Sequence, residues 1–390
     1  MWYYRNGDVM KTIGLICEYN PFHNGHLYHI NKTKEMFPNS TLILVLSGNV
    51  TMRGELSVLN KWDKTEIALN HGIDLVVEIP FTHASQAADV FCYASVKLLS
   101  ILNVDTIVFG SESDSIDNLK RCADIQLNNN KYEKLVSKYL SEGNNYPTSL
   151  SKALKDISGI DINTPNDILG LGYVKEIIKN SYNIEPITIK RTNDYHDEEL
   201  TGSISSATSI RRALINNQPI KGTVPDTVLP LLTKNVFFLR DYYQYLKYKL
   251  ISESDLTIYQ TVDKDIISRI NKYIEVSNTF DEFIDNIKTK YYTYNRLMRM
   301  CSHILFSYTK EEASTYSEIS YIRVLGFTDT GKKHLNSIKK DLELPIITNY
   351  SNDKHGLLDI EMRVAKILGL LQGEEFVRQE YQNKPIHKKT

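Results

Sequence analysis

Five short apolar runs, each followed by a helical pattern, constrain this chain more than any other feature. The runs are Thr12–Cys17, Thr41–Leu46, Asp74–Ile79, Asp105–Phe109 and Glu185–Lys190. Helical periodicity falls near Gly25–Met36, Lys61–Asn70, Ala87–Leu102, Ser115–Ser141 and Asp167–Lys179. Near-continuous Ile, Val and Leu in a strand means burial on both faces, as in a parallel sheet covered by helices. Right-handed crossovers then predict a doubly wound, Rossmann-like parallel sheet of the α/β class. A short helix is expected near Thr208–Leu214, followed by a linker containing Pro219, Gly222, Pro225 and Pro230. From about Val236 the pattern is mainly helical, rich in Tyr and Lys, with no clear strand alternation.

With 390 residues the chain exceeds what one compact core usually holds. The expected division is an extension at 1–9, a catalytic domain at 10–216, a linker at 217–235 and a mainly helical domain at 236–390. Residues 1–9, "MWYYRNGDV", carry charge and aromatics without periodicity, lack the apolar core of a signal peptide, and are expected to be poorly ordered and dispensable. The formal charge of −1 requires any nucleic acid to be held by a local basic surface. No apolar run approaches the roughly 18 residues of a membrane-spanning helix. Cys17, Cys92, Cys122 and Cys301 lie far apart without a CxxC pair, which argues against zinc and disulfides and for the cytoplasm.

In a doubly wound sheet, ligands sit beyond the carboxyl ends of the strands, against helix N-termini. The first strand ends near Cys17, so His23, Asn24, Gly25 and His26 fall in the first β–α turn. Gly25 lets backbone N–H groups approach a phosphate. His23 and His26 share one helix face, and two imidazoles there suit the charge that builds on a phosphate under attack. An isolated HxGH is equally a pair of packed or capping histidines, and the strand–turn–helix context is what favours chemistry.

"NPFHNGH" resembles the HxGH signature of the nucleotidylyltransferase superfamily, whose general form is GxFDPxHxGH. Its second signature, SSTxIR, is matched by "SATSIR", Ser206–Arg211, with Ala207 replacing a serine. Glu18 and Asn20 depart from the usual small residue and aspartate. In those details, and in "SGNVTMRGE", "FGSES", "TPNDILG" and "NDYHD", nearly the whole chain from Met10 closely resembles the bacterial tRNA(Met) cytidine acetate ligases.

The resemblance implies that ATP activates acetate as acetyl-adenylate, and that the acetyl group passes to N4 of the wobble cytidine of elongator tRNA(Met). It implies His23 and His26 as catalytic residues, with His26 the stronger candidate. It makes Ile16, Cys17, Glu18, Tyr19, Asn20, Pro21, Phe22, His23, Asn24, Gly25, His26, Leu27, Tyr28 and His29 the ATP-binding loop. Gly110, Asn166, Arg191, Ser206, Thr208, Ser209 and Arg211 join it. Read from the residues alone, Gly110 is also a strand-end turn, Asn166 an N-cap, and Ser206–Ser209 an ordinary capping cluster. Arg191 ends the fifth strand, where a guanidinium can reach a phosphate. Lys61, Trp62 and Lys64 read as a solvated face; Arg53 reads as lining the acetate or tRNA side, or as surface; Glu18 receives no role. Mg²⁺ is expected with the ATP phosphates, held by phosphate and water, with no dedicated metal cluster.

The segment "KTKYYTYNRLMRM" interleaves cations with tyrosines, a pattern that grips RNA and stacks unpaired bases. Lys288, Lys290, Tyr292, Arg296 and Arg299 are the candidate tRNA contacts, although charge runs are usually solvated helix faces. No membrane and no obligate protein partner is expected. Two rivals remain at this point: an adenylyltransferase acting on a small phosphate-bearing acceptor, and an RNA-binding protein with a relict nucleotide site. The long C-terminal half disfavours the first, and intact His23, Gly25, His26 and Arg211 disfavour the second.

Overall fold

In the computed structural model, residues 10–191, 205–234, 236–353 and 356–389 are described. The expected extension at 1–9 and the "NDYHD" stretch lie outside them. Eight strands form one sheet: β1 (Thr12–Cys17), β2 (Thr41–Ser47), β3 (Leu75–Ile79), β4 (Thr106–Ser111), β5 (Glu185–Lys190), β6 (Ile322–Thr328), β7 (Ile346–Ile347) and β8 (Ile386–Lys388). Their order is β5-β4-β1-β2-β3-β6-β7, with β8 also pairing β6. The first five pair in parallel. The five expected strands therefore hold to within a residue or two at their ends.

The chain winds outward through β1, β2 and β3, then returns to the other side of β1 for β4 and β5. The reversal between β1 and β4 opens a crevice at their carboxyl ends, where such sheets take ligands. Helices α1 (Asn24–Met36) and α2 (Lys61–Asn70) lead away from that edge. All of β2 and β3 is buried, as continuous apolar strands require. The expected single helix at Ser115–Ser141 is broken at Asn129, which caps a second helix through Lys131 N.

The expected α/β class holds, with additions from the C-terminal half. The sheet is mixed, because β6 runs antiparallel to β3. The C-terminal half is mostly helical around its own core, yet its β6, β7 and β8 extend the N-terminal sheet. In addition, the stretch expected as a linker buries Ile220, Val224, Val228 and Leu232 against the face of the sheet that holds α1 and α2.

The segment expected as a solvated face is buried. Lys61 Nζ lies 2.9 Å from Glu78 Oε1 on β3 and 2.8 Å from Glu380 Oε2 near the C-terminus. Fully buried Arg323 on β6 reaches Glu380 at 3.3 Å. Burial alone would pull the Lys61 pKa down, but Glu380, Glu78 and Glu361 reverse this and raise it. Charges removed from water need partners of this kind.

Candidate active site

A cleft of about 260 Å³ opens at the β1–β4 switch point. From the expected loop it is lined by Ile16, Cys17, Glu18, Tyr19, Asn20, His23, Gly25, His26, Tyr28 and His29. Gly110, Asn166, Arg191, Ser206, Thr208 and Arg211 join them. Pro21, Phe22, Asn24, Leu27 and Ser209 do not line it. Phe22 and Leu27 pack into the core, and Asn24 Nδ2 donates to the Gly222 carbonyl at 2.8 Å.

His23 is the N-cap of α1, and its Nδ1 accepts from Gly25 N at 3.0 Å. His26 Nδ1 accepts from His23 N at 3.3 Å. The capping role and the catalytic role are therefore compatible. With Nδ1 accepting on each ring, the neutral proton sits on Nε2, which becomes the donor for other groups. The two rings lie 3.9 Å apart, centroid to centroid. Burial, then Arg191 and Arg211, lowers the His23 pKa to about 3. Burial and the neighbouring histidines and Arg191 pull His26 well below its usual value. His29, 3.2 Å from the Val108 carbonyl through Nε2, is lowered by burial to about 4.

Arg211 joins the two signatures. Its Nη1 donates to the Asn20 carbonyl at 2.8 Å and its Nη2 pairs with Glu55 Oε2 at 2.8 Å. Ser206 caps the helix Ala207–Ile215, accepting from Ser209 N at 3.1 Å, and Ser209 Oγ turns back to the Ser206 carbonyl. Arg191 lies 3.7 Å from Glu112, and a Cβ on Gly110 would stand 3.4 Å from the Arg191 Cγ. A side chain on Gly110 would therefore rest against Arg191.

Asn166 is not an N-cap. Thr164 holds that position, Pro165 is the first helical residue, and Asn166 Nδ2 donates to Glu112 Oε1 at 2.5 Å. Glu18 Oε1 accepts from Met52 N at 2.6 Å, and burial raises its pKa despite Met52 and Arg53. Arg53 lines the cleft with Met52 and Glu55. Among the expected RNA contacts, Lys288 and Lys290 are exposed, whereas Tyr292 is buried beneath the Arg296 guanidinium, 4.6 Å from its ring centroid. Arg296 pairs with Asp263, and Arg299 Nη1 reaches the Met52 carbonyl at 3.5 Å.

Glu55, Met52 and Tyr173 escaped sequence reasoning, and Lys64, expected on a solvated face, is buried. Glu55, Met52 and Tyr173 line the cleft, while Lys64 ties its floor. Lys64 is fully buried and donates from Nζ to the carbonyls of Glu18, Ser47 and Gly48 at 3.0, 2.7 and 2.7 Å. Glu55 and Met52 stood in the "SGNVTMRGE" signature, which was the available signal. Among the described residues, no group of three or more His, Cys, Asp or Glu could hold a metal ion.

The family model described as HIGH Nucleotidyl Transferase matches residues 10–384. The tRNA(Met) cytidine acetate ligase of Caldicellulosiruptor saccharolyticus is 36% identical over 395 residues, covering 97% of this chain and 99% of that protein. The chain belongs to the HIGH nucleotidyl transferase family, among the tRNA(Met) cytidine acetate ligases. The family member from Bacillus subtilis is 36% identical over 404 residues, 97% of each chain. The family fold is also seen in Thermotoga maritima TmcAL without ligand, which superposes with a TM-score of 0.89 at 29% identity over 98% of this chain and 100% of that one. The same protein bound with alpha-thio ATP gives 0.88 at 28% identity, with the same coverage.

Proposed function

We propose that the protein is an ATP-dependent ligase that activates acetate as acetyl-adenylate and acetylates N4 of the wobble cytidine of elongator tRNA(Met). The observation that carries this reading is the pair His23 and His26, each with Nδ1 tied to the backbone and Nε2 left to donate, in a cleft that also collects Arg53, Arg191 and Arg211.

Acetate and the N4 amine do not react directly, because the acid has a poor leaving group and the amine is conjugated with its ring. Adenylation splits the problem into two steps. In the first, an acetate oxygen attacks the α-phosphorus and pyrophosphate leaves with the bonding pair. The histidine Nε2–H groups and the arginines meet the charge that builds on the phosphate oxygens, without rearranging to do so. A bound polyphosphate also opposes the forces that keep these imidazoles neutral and raises their pKa values. In the second step, N4 attacks the acetyl carbonyl carbon, the bond from that carbon to the phosphate oxygen breaks, AMP leaves, and the amine gives up one proton.

Mg²⁺ would shield the phosphates. The two carboxylates lining the cleft, Glu18 and Glu55, are already engaged with Met52 N and Arg211. This favours a cation carried in by phosphate and water oxygens over one held by a protein cage. The N-terminal half activates acetate and the C-terminal half holds the RNA, a division consistent with a cytoplasmic tRNA enzyme. No helix among the described residues is long and apolar enough to cross a membrane.

The test is ATP–pyrophosphate exchange. Exchange should require acetate and proceed without tRNA. Exchange supported by a phosphoester acceptor and indifferent to acetate would favour an adenylyltransferase instead.

A further inference from the structure

The helix Tyr294–Leu305 rests on the loop that walls the cleft. Gly54, at φ +79°, sits directly beneath it, and a Cβ there would meet Arg299 N and Cα at 2.5 Å. Arg299 Nη1 reaches the neighbouring Met52 carbonyl. Tyr294 opens that helix, one turn before Met298 and on the same face; burial, and after it the charge of Glu55, raises its pKa. Glu55, next to Gly54 beneath this helix, forms the cleft-wall ion pair with Arg211, so the start of the helix stands beside the cleft.

Tyr294 as a residue is nevertheless 42% exposed, and Tyr291 in the preceding turn is 56% exposed. The Tyr291 hydroxyl sits over Gly143, at the turn between two helices of the N-terminal half. Exposed tyrosines concentrated at the entrance of a cleft mark a surface that something covers. Lys288 and Lys290 in the same turn are exposed, and among the described residues neither makes an ion pair. Aromatic faces beside uncommitted ammonium groups match the chemistry of an unpaired nucleotide loop, whose bases stack while its phosphates seek cations.

We propose that Tyr294 is the platform on which the unpaired acceptor base stacks as it enters the cleft, with Lys288 and Lys290 holding phosphates of the same loop. This rests on the RNA-acceptor reading above and reassigns the aromatic contact from buried Tyr292 to Tyr294.

The test is to titrate an anticodon stem-loop RNA carrying the fluorescent base pyrrolocytosine at the wobble position. Wild-type protein should quench it, and Tyr294→Ala should abolish the quench and lower kcat/KM for tRNA on the order of tenfold or more. Tyr294→Phe and Tyr294→Trp should restore both, because stacking needs the ring and not the hydroxyl. Replacing Lys288 and Lys290 together by Ala should reduce the salt slope of RNA binding by about two. Undiminished quenching by Tyr294→Ala overturns the proposal, and so does a Phe variant as impaired as the Ala variant. If wild-type protein quenches the probe but shows no acetate-dependent exchange, the activation chemistry has failed while the platform stands.

Discussion

Lys64 donates from Nζ to the carbonyl oxygen of Glu18 at 3.0 Å, joining α2 to the chain just beyond β1. The same ammonium holds the Ser47 and Gly48 carbonyls at the end of β2. One buried cation therefore sets the spacing of the two strand ends that floor the cleft. Lys64→Met removes a donor from three carbonyls, and each buried group left unsatisfied costs about 1–3 kcal/mol. Denaturant unfolding should show a loss of at least about 2 kcal/mol, with a raised KM for ATP in exchange. An unchanged midpoint would mean that these carbonyls find water.

Substitution can separate the capping role of the histidines from their proposed catalytic role. In His23→Asn the side-chain oxygen stands near the former Nδ1 and can still cap α1, but nothing replaces Nε2. The variant should fold with near-native stability and lose on the order of 10²-fold in exchange rate. His26→Ala should lose at least as much. A folded variant with almost unaltered exchange would remove that histidine from the chemistry.

The depressed histidines also set a pH dependence. His23 takes its proton near pH 6.5 in the unfolded chain but only near pH 3 in the fold. Between those values the unfolded state holds a proton that the native state lacks. Stability therefore rises with pH across that window and levels off above 6.5. His29 acts in the same sense from about 4 upward. Unfolding free energies compared at about pH 5 and about pH 7 should fall less on acidification in His23→Asn than in the parent, by up to about 1.4 kcal/mol per pH unit. Identical slopes would show that His23 titrates normally in the fold.

Why some of this was legible in the sequence and some was not follows from the range of the forces involved. β1 to β5 are continuous apolar runs because both faces are covered, so each run declares itself locally. β6 contains Arg323 and Gly326, and β7 and β8 are two and three residues long, so their strand character comes from pairing and not from pattern. The histidine turn was readable because the loop, the cap and the switch point are contiguous. Lys61 was misread because charge predicts exposure, and the partner that permits its burial, Glu380, lies 319 residues away. The helix cap is Thr164, two positions before Asn166, as Pro165 at the first helical position indicates. Tyr292 and Tyr294 are indistinguishable as letters; only the packing of Arg296 over one ring decides which is free to stack.

The Lys61 cluster predicts how firmly the C-terminal end is bound to the sheet. Lys61→Met leaves buried Glu78 without its cation and Glu380 with Arg323 alone, and breaking such a pair costs about 3–5 kcal/mol. Thermal unfolding should record the loss. Little change would mean that the two carboxylates are accommodated as neutral acids.

The central claim is that a single cleft makes an adenylate of acetate and then delivers the acetyl group to RNA. It is tested most directly by incubating the protein with ATP, isotopically labelled acetate and elongator tRNA(Met), then measuring nucleotide products and digested nucleosides together by mass spectrometry. The account predicts labelled N4-acetylcytidine at the wobble position with one AMP formed for each acetyl group transferred. Release of ADP in place of AMP, or AMP formation with unmodified cytidine, would contradict it.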